Sequence, residues 1–332
     1  MVQVMRRADS MSGIRGKKIF ITGGAGFIAS HLIERLLQDN QVILYDNLHR
    51  NALQFSEHRD HANLHFIQGD VLDDEKLTRS MAGAGFCVHA AAIAGIYSVG
   101  LSPIHTMKVN LLGTYHALEA AVRNKVRRFL DFSTSEVYGP FVYRGKETDR
   151  TTMGPAGEKR WIYAVSKLAG EHMAHAYGAD RGLDFVVVRP FNVYGPRQVG
   201  EGAVQQMVRR ALRDQDITVF NDGAQIRSWC YVSDFVDAFY ETLHLPAACQ
   251  QTFNIGNPQA SITVLGIAET IIRLTGSRSK IVFQAHPGPE VDMRIPDISK
   301  ASALLNFHPQ ISLEEGLRRT IDWYRGHPQQ VA

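Results

Sequence analysis

The sequence is poor in several features that would assign it to particular classes of protein. Its three cysteines, Cys87, Cys230 and Cys249, form no C-x-x-C pair, so neither a disulfide framework nor a metal site is predicted. No apolar run approaches the roughly 18 residues that a transmembrane helix requires. The net charge of +3 is small, and no long run of lysine and arginine suggests a nucleic-acid partner. These absences fit a cytoplasmic protein that acts away from membranes.

The amino terminus also lacks a targeting signal. Arg6 and Arg7 occur there, but the apolar core of a signal peptide does not follow them. We therefore interpret residues 1–16 as a flexible extension. The remaining chain is long enough to bury a large core, and we predict two closely joined lobes, at 17–190 and 191–332.

What the sequence does contain is a regular alternation of strand-like and helix-like segments. Strand-like runs are found at 18–23, 41–46, 64–70, 86–92, 128–134 and 185–193. Helical patterns lie between them, including 107–124 and 163–182. This alternation predicts an α/β protein with a parallel sheet covered on both faces, in which ligands bind beyond the carboxyl ends of the strands. The pattern becomes irregular after about Gly195, which indicates a smaller second lobe.

Small residues follow the first strand-like run, in the stretch FITGGAGFIAS (20–30). Gly23 and Gly26 permit a tight turn and the close approach of a ligand to the backbone. The helix that follows offers unpaired N–H groups and a partial positive charge, so the pattern is typical of a phosphate site. The third small residue is Ala29, where glycine is common, and its single methyl group should be tolerated.

The second strand-like run ends at an acidic residue, Asp46. A carboxylate there can accept hydrogen bonds from both ribose hydroxyls of a dinucleotide, which favours NAD over NADP. His49 and Arg50 follow closely, so NADP stays open at this point. Asp70, in the segment GDV (69–71), is a candidate for contact with the adenine, and a loop carboxylate without a ligand explains it equally well.

A second group of residues points to proton transfer. Tyr163 and Lys167 are four residues apart and therefore share one face of a predicted helix. An ammonium group beside a phenol, with a positively charged nicotinamide nearby, would lower the pKa of Tyr163 and make it a base during hydride transfer. Thr134 and Glu136, in FSTSEVYG (132–139), lie at the predicted carboxyl edge of the sheet. Thr134 could share the proton with Tyr163, and Glu136 could be a general acid or base.

Taken together, these motifs resemble the extended short-chain dehydrogenase/reductases that modify nucleotide sugars. The resemblance extends from about residue 17 to about residue 325. It is carried by TGGAGFIAS, HAAA, NLLGT, STSEVYG, YAVSK, RPFNVYGPRQ, RSWCYVSD and FNIGN, which occur in the family's order. It implies a doubly wound Rossmann lobe with tightly held NAD and a smaller C-terminal lobe for a nucleoside diphosphate-sugar. Some C-terminal segments would return to the Rossmann sheet.

The resemblance also implies roles for individual residues. The catalytic set would be Thr134, Glu136, Tyr163, Lys167 and Arg294. The residues implied in cofactor binding are Gly23, Gly26, Phe27, Ile28, Asp46, Asn47, Asp70, Val71, Ala90, Ala91, Ala92, Tyr163 and Lys167. The residues implied in substrate binding are Asn192, Arg197, Arg227 and Arg294. Related enzymes pair helices such as those near 107–124 and 163–180 in a four-helix interface, so a homodimer is expected.

The resemblance leaves several reactions open after a shared oxidation of the sugar at C4. The stretches TSEVYG, RWIYAVSK and RIPDISKA look most like UDP-glucuronate decarboxylases, in which Arg294 would hold the C6 carboxylate or stabilise the enolate. UDP-glucuronate or UDP-hexose 4-epimerases stay open. Nucleotide-sugar 4,6-dehydratases stay open too, although Ser135 replaces the acid usual in dTDP-sugar dehydratases. An NAD-binding redox sensor without turnover is the alternative from another class, and the intact catalytic set argues against it.

Overall fold

The structure, a computed structural model, describes residues 13–286 and 288–331. Residues 1–12 of the predicted extension lie outside the described residues. The strands are β1 (Lys18–Thr22), β2 (Gln41–Asp46), β3 (Leu64–Gln68), β4 (Phe86–His89), β5 (Arg128–Phe132), β6 (Phe141–Gly145), β7 (Phe185–Pro190), β8 (Val193–Tyr194), β9 (Ile217–Phe220), β10 (Ile226–Ser228), β11 (Cys230–Tyr231), β12 (Gln251–Ile255), β13 (Ser261–Thr263), β14 (Ile281–Gln284) and β15 (Met293–Pro296). The helices are α1 (Phe27–Leu36), α2 (Asp74–Ser80), α3 (Ile96–Leu101), α4 (Pro103–Met107), α5 (Gly113–Arg123), α6 (Ile162–Arg181), α7 (Ala203–Ala211), α8 (Val232–His244), α9 (Val264–Thr275), α10 (Ser299–Leu305), α11 (Leu313–Gly326) and α12 (Pro328–Val331). None of these helices is long and apolar enough to cross a membrane.

The larger sheet has seven strands in the order β12-β7-β5-β4-β1-β2-β3. Every neighbouring pair in it is parallel. The chain builds outward from β1 to β3, then returns to β4 and builds in the other direction, so the strand order reverses between β1 and β4. A crevice at such a reversal is where sheets of this type bind ligands. The predicted α/β class and the doubly wound Rossmann sheet are therefore confirmed.

Both faces of this sheet are buried, as the apolar strand runs predicted. In β1, Ile19 and Ile21 face the hydrophobic cluster that contains Leu32 of α1, whereas Phe20 faces the opposite cluster with Leu118 of α5. The alternation follows from the period of two residues in a strand. Each such fully buried side chain contributes about 1.5–3 kcal/mol to stability, and two covered faces therefore fix the register of the strands.

The predicted helix at 107–124 is interrupted in the structure. A π-helical segment, Lys108–Leu112, separates α4 from α5. The interruption turns the Asn110 side chain inward, where its amide donates to the backbone oxygen of Ile93 at 3.0 Å and to Ser166 Oγ at 3.0 Å. The π-helical segment therefore coincides with the point at which the Asn110 side chain connects the loop after β4 to α6 by hydrogen bonds.

A second, mixed sheet has four strands in the order β13-β10-β15-β6. Its edge strand β6 comes from the first half of the chain, whereas its other strands come from the second half. The sequence did not predict these strands, because each has only three to five residues and pairs with a distant segment. The sheet matters for function because it brings Arg227 in β10 opposite Arg294 in β15.

Candidate active site

The turn between β1 and α1 leaves its backbone uncovered. Gly23 has a φ of +66°, and a Cβ atom on it would lie 2.6 Å from the backbone nitrogen of Ala91, so no larger residue fits. Gly26 precedes α1 and supplies no side chain to cap the first N–H groups of the helix. Ala29 is buried, in agreement with its predicted packing position. An open glycine turn at a helix amino terminus fits the phosphates of a dinucleotide.

Asp46, at the end of β2, contacts the same turn. Its carboxylate accepts hydrogen bonds from the backbone N–H groups of Ala25, at 3.0 Å, and Leu48, at 2.6 Å. Burial raises the pKa of Asp46, and these two hydrogen bonds oppose that effect. The acidic residue is therefore fixed beside the glycine turn, where a ribose following the phosphates would lie.

Arg50, which had kept NADP open, is already engaged elsewhere. Its guanidinium group donates to the backbone oxygen of Ala94 at 2.9 Å, to Ser98 Oγ at 3.0 Å and to Glu201 at 3.1 Å. Glu201 also accepts from the backbone N–H of Tyr97 at 2.7 Å. An arginine held by a carboxylate in this way is poorly placed to bind the 2′-phosphate of NADP.

Apart from Tyr163 and Lys167, the other residues implied in cofactor binding lie at one edge of the sheet, in the loops after β2, β3 and β4 or, for Phe27 and Ile28, at the start of α1. Asp70 accepts from the backbone N–H of Leu72 at 2.9 Å. Val71 is buried, and the Asn47 side chain is exposed. The small residues after β4 stay close to β1, because the backbone N–H of Ala90 donates to Thr22 O at 3.0 Å. Further members of this set are Phe27, Ile28, Ala91 and Ala92.

Thr134 and Tyr163 are brought together at the carboxyl end of β5. Thr134 begins the turn after β5, and its Oγ1 accepts from the backbone N–H of Glu136 at 3.2 Å. Its side chain also forms a hydrogen bond with Tyr163, near the start of α6. Burial and the charge of Glu136 raise the pKa of Tyr163, and this hydrogen bond lowers it. Burial therefore outweighs the lowering among the protein groups, and the lower pKa that the sequence predicts beside a positively charged nicotinamide stays a prediction.

Lys167 lies one helical turn after Tyr163 and is almost fully buried. Its ammonium group pairs with Asp131 in β5, with 3.6 Å between Lys167 Nζ and Asp131 Oδ1. Burial raises the pKa of Asp131, and the charge of Lys167 opposes this. The sequence had predicted a catalytic role for Lys167 but had not predicted this carboxylate partner.

Glu136 lies among arginines. Arg160, which precedes α6, donates to both carboxylate oxygens, at 2.6 and 3.2 Å. Arg294 Nη1 lies 3.5 Å from Glu136 Oε1. Burial alone would raise the pKa of Glu136, but the charges of Arg294, Arg160 and Arg227 outweigh it and hold the pKa below its ordinary value. Glu136 is therefore ionised at neutral pH and can accept a proton or position a cation.

Arg294 and Arg227 lie side by side on β15 and β10. Arg294 is 3% exposed and donates to the backbone oxygen of Gly139 at 3.2 Å, and its Nε atom has no hydrogen-bond partner among the residues that the structure describes. Arg227 approaches Glu290 at 3.8 Å. Burial and the neighbouring charge of Arg294 lower the pKa of Arg227 to about 10. An unpartnered buried guanidinium nitrogen marks a place for an acceptor from a ligand.

The remaining two residues predicted to bind substrate are separated in the structure. Asn192, after β7, has a φ of +39°, and its amide donates to the backbone oxygen of Ser228 at 3.0 Å, next to Arg227. Arg197 instead forms an ion pair with Glu34 and a hydrogen bond with His31, both on α1. Arg197 therefore joins the two halves of the chain, and its role in substrate binding stays a prediction.

Arg160 and Asp131 are not among the site residues predicted from the sequence. Arg160 lies three positions before Tyr163, in the short turn Lys159–Trp161, and no local pattern marks it. Asp131 interrupts an otherwise apolar strand, RFLDF, and that irregularity was a signal that could have identified it.

Comparison with known protein families gives one match that covers most of the chain. Residues 19–256 match the model of the NAD-dependent epimerase/dehydratase family. A UDP-N-acetyl-alpha-D-glucosaminuronate decarboxylase of Bacillus cytotoxicus is 34% identical over 319 residues, which are 93% of this chain and 98% of that protein. A dTDP-glucose 4,6-dehydratase of Streptomyces niveus is 32% identical over 319 residues, 93% of each.

Among solved structures, a UDP-glucuronic acid 4-epimerase from Bacillus cereus, in complex with UDP-glucuronic acid and NAD, is similar to this chain. The TM-score is 0.86 and the identity 29%, over 93% of this chain and 99% of that one. Proteins with three different reactions therefore share this fold and resemble this sequence to a similar degree.

Proposed function

Because the chain belongs to the NAD-dependent epimerase/dehydratase family of enzymes, we propose that it oxidises the sugar of a nucleoside diphosphate-sugar at C4. We further propose that its substrate is a UDP-uronic acid, with UDP-glucuronate as the first choice, and that the oxidised sugar loses CO2. NAD supplies the reversible acceptance of a hydride. The residues of the chain bind, orient and move protons.

The observation that supports the choice of a uronic acid is the buried group of arginines beside Glu136. Arg160, Arg227 and Arg294 converge there, and the Nε atom of Arg294 has no hydrogen-bond partner within the described residues. The diphosphate of any nucleotide sugar would offset the net positive charge, but a C6 carboxylate would also accept from Arg294, whereas a neutral hexose brings no carboxylate. Arginine suits a carboxylate because its planar fork can donate two parallel hydrogen bonds.

Proton transfer at C4 falls to Tyr163, with Thr134 hydrogen-bonded beside it. Tyr163 takes the proton of the C4 hydroxyl while the C4 hydrogen leaves as a hydride, and it returns the proton when the ketone is reduced. Lys167 provides a fixed positive charge one helical turn away. A base held in position for such a transfer typically contributes about 10²–10⁴-fold to the rate.

Loss of CO2 follows from the chemistry of the oxidised sugar. A ketone at C4 is β to the C6 carboxylate, so breaking the C5–C6 bond releases CO2 and places the electron pair in an enolate. Arg294, buried and with a free Nε donor, is suited to hold the carboxylate or to stabilise the enolate oxygen. Protonation of C5 and reduction at C4 then give the UDP-pentose.

Epimerisation and dehydration can follow the same first step, and experiment can distinguish both from decarboxylation. A UDP-uronic acid 4-epimerase would return the hydride to the opposite face, and the similar Bacillus cereus structure makes this the closest competitor. A 4,6-dehydratase would use Glu136 to take the C5 proton, and its ionised state is compatible with that role.

The deciding experiment is incubation with UDP-glucuronate, UDP-N-acetylglucosaminuronate, UDP-glucose and dTDP-glucose, followed by mass spectrometry and NMR. Loss of CO2 from a uronic acid supports the proposal, an unchanged mass with an inverted C4 indicates an epimerase, and loss of water from a hexose indicates a dehydratase. Turnover of neutral sugars alone would overturn the choice of a uronic acid. Release of NAD(H) on denaturation without turnover of any substrate would instead support the alternative of an NAD-binding redox sensor.

A further inference from the structure

Asp131 is a carboxylate in the interior of the larger sheet. It lies in β5 between His89 of β4 and Val187 of β7, and it is 0% exposed. Its neighbour Phe129, two residues earlier on the same face, belongs to a wholly apolar cluster. A charge at such a position is expensive unless a partner compensates it, so the residue requires an explanation.

The partner of Asp131 is the ammonium group of Lys167. Lys167 Nζ is 3.6 Å from Asp131 Oδ1, and neither carboxylate oxygen has a hydrogen bond of ordinary length within the described residues. The next carboxylate on α6, Glu171, is already held by Arg189 at 2.6 and 2.9 Å. The interior beneath the active site thus contains two carboxylates and two cations, and Asp131 balances Lys167.

The other titratable groups facing Asp131 do not replace that partner. His89, opposite Asp131 on β4, is held between Thr22 Oγ1 at 2.8 Å and Thr114 Oγ1 at 3.1 Å. Burial and the charge of Lys167 lower the pKa of His89 to about 3, so it is neutral. Burial raises the pKa of Cys87, also on β4, so this thiol stays protonated. Glu171 is a like charge, and Lys167 is therefore the cation left to compensate Asp131.

We propose that Asp131 is a positioning residue that anchors the ammonium group of Lys167 and thereby sets the pH range in which Tyr163 transfers its proton. The second half of this statement rests on the proposed role of Tyr163 as the acid and base at C4. The first half concerns a buried ion pair alone and holds whichever sugar is turned over.

The expected sign follows from the charges around Tyr163. Burial raises its pKa, Glu136 and Asp131 raise it further, and the hydrogen bond with Thr134 and the charge of Arg50 lower it. Asp131→Asn removes one negative charge and keeps the shape of the side chain. The phenolate of Tyr163 then becomes easier to form, so the acidic limb of the rate profile should move to lower pH.

The control variant removes a carboxylate from a second, partly buried ion pair, away from Lys167. Asp184 pairs with Arg128, at 2.7 Å between its Oδ2 and the Nε atom, where β5 begins. Like Asp131, it has a buried oxygen without a hydrogen bond. Asp184→Asn should lower stability in a comparable way and leave the pH dependence of Tyr163 unchanged.

Two measurements test the pH dependence. The first is the pH profile of kcat with whichever nucleotide sugar is converted. The second needs no substrate: it is the ultraviolet titration of the tyrosinate, taken as the difference between each protein and the same protein with Tyr163→Phe. We expect Asp131→Asn to move both by roughly half to one pH unit toward acid. An unchanged or alkaline-shifted Tyr163 titration in Asp131→Asn would overturn the proposal.

A stability measurement covers the case in which Asp131→Asn does not fold. Lys167→Met leaves Asp131 buried without a counter-charge, whereas Lys167→Met combined with Asp131→Leu removes both charges. The double variant should therefore melt at a higher temperature than Lys167→Met, by about 2 °C or more. A double variant no more stable than Lys167→Met would show that the two groups are not coupled. This outcome is independent of whether a UDP-uronic acid is the substrate.

Discussion

Replacing Arg294 by alanine is the sharpest test of a uronic acid substrate. The residue is 3% exposed and lies in the second sheet, not in the Rossmann sheet. Its loss removes the guanidinium group whose Nε atom has no hydrogen-bond partner in the described part of the chain. Tyr163 and Thr134 stay in place at the start of α6 and the carboxyl end of β5, and the substitution reaches Tyr163 through Glu136, whose charge raises the pKa of Tyr163. A comparison of a uronic acid with a neutral hexose therefore separates binding of the carboxylate from proton transfer at C4, because both substrates use Tyr163.

The size of the effect follows from the bond that would be lost. A hydrogen bond to a charged group contributes about 1.5–3 kcal/mol. With a factor of ten for about 1.4 kcal/mol, kcat/KM for UDP-glucuronate should fall by roughly 10- to 150-fold. If Arg294 also stabilises the enolate, part of this loss appears in kcat rather than in KM. UDP-hexoses that the protein binds should be affected by less than about threefold, because they bring no carboxylate to the site.

The same substitution changes the titration of Glu136. Burial would raise the pKa of this residue, but Arg294 and Arg160 hold it below its ordinary value. A carboxyl with a lowered folded-state pKa stabilises the fold above its unfolded pKa, and this stabilisation is lost as pH falls through the folded pKa. Arg294→Ala raises the folded pKa of Glu136 toward its unfolded value. The variant should therefore be less stable than the parent protein at neutral pH, and the difference between the two should shrink as the pH falls, as followed by thermal unfolding from pH 7 down to about pH 3.

The assay compares the parent with Arg294→Ala and Arg294→Lys at saturating NAD, using UDP-glucuronate and UDP-glucose side by side. Lysine keeps the charge but loses the planar fork, so it should recover part of the uronic acid activity. Equal losses for the two substrates, in a variant with unchanged unfolding temperature, would refute the reasoning. So would an unchanged rate with UDP-glucuronate.

Three further predictions concern the cofactor, the proton-transfer residues and the assembly. Acid or heat should release NAD(H) from the purified protein, because Asp46 lies beside the glycine turn and Arg50 is held by Glu201; tighter calorimetric binding of NADP would contradict this. Tyr163→Phe should lower turnover by at least about 10²-fold with NAD still bound, and Lys167→Ala should lower it and move the pH profile upward; near-normal turnover of Tyr163→Phe would assign the proton transfer to another group. Light scattering at micromolar concentration should give a dimer mass, and a monomer mass would reject pairing through α5 and α6.

Local patterns in the sequence were sufficient for six strands of the larger sheet, but not for its edge strand β12 or for the second sheet. The strands from β1 to β5 are apolar runs with a clear boundary at each end, and Gly23 marks the first turn because its φ of +66° excludes other residues. β6, β10 and β15 are short and are stabilised by pairing with distant segments, so no local pattern predicts them. The contact of Arg160 with Glu136 likewise depends on the packing of α6 against the turn after β5.

The division of the site between the two sheets suggests how one fold serves several reactions. Thr134 lies in the turn after β5, and Tyr163 and Lys167 lie on α6, so the groups proposed for oxidation at C4 belong to the lobe that also carries the glycine turn. Arg227 and Arg294 lie on β10 and β15, which are paired in register. If the sugar is oxidised at C4 as proposed, we expect substitutions on those short strands to change mainly the later steps. We therefore expect a few side chains of the second sheet to influence the fate of the 4-keto sugar, and Glu136, in the turn that precedes β6, lies where the two sets meet.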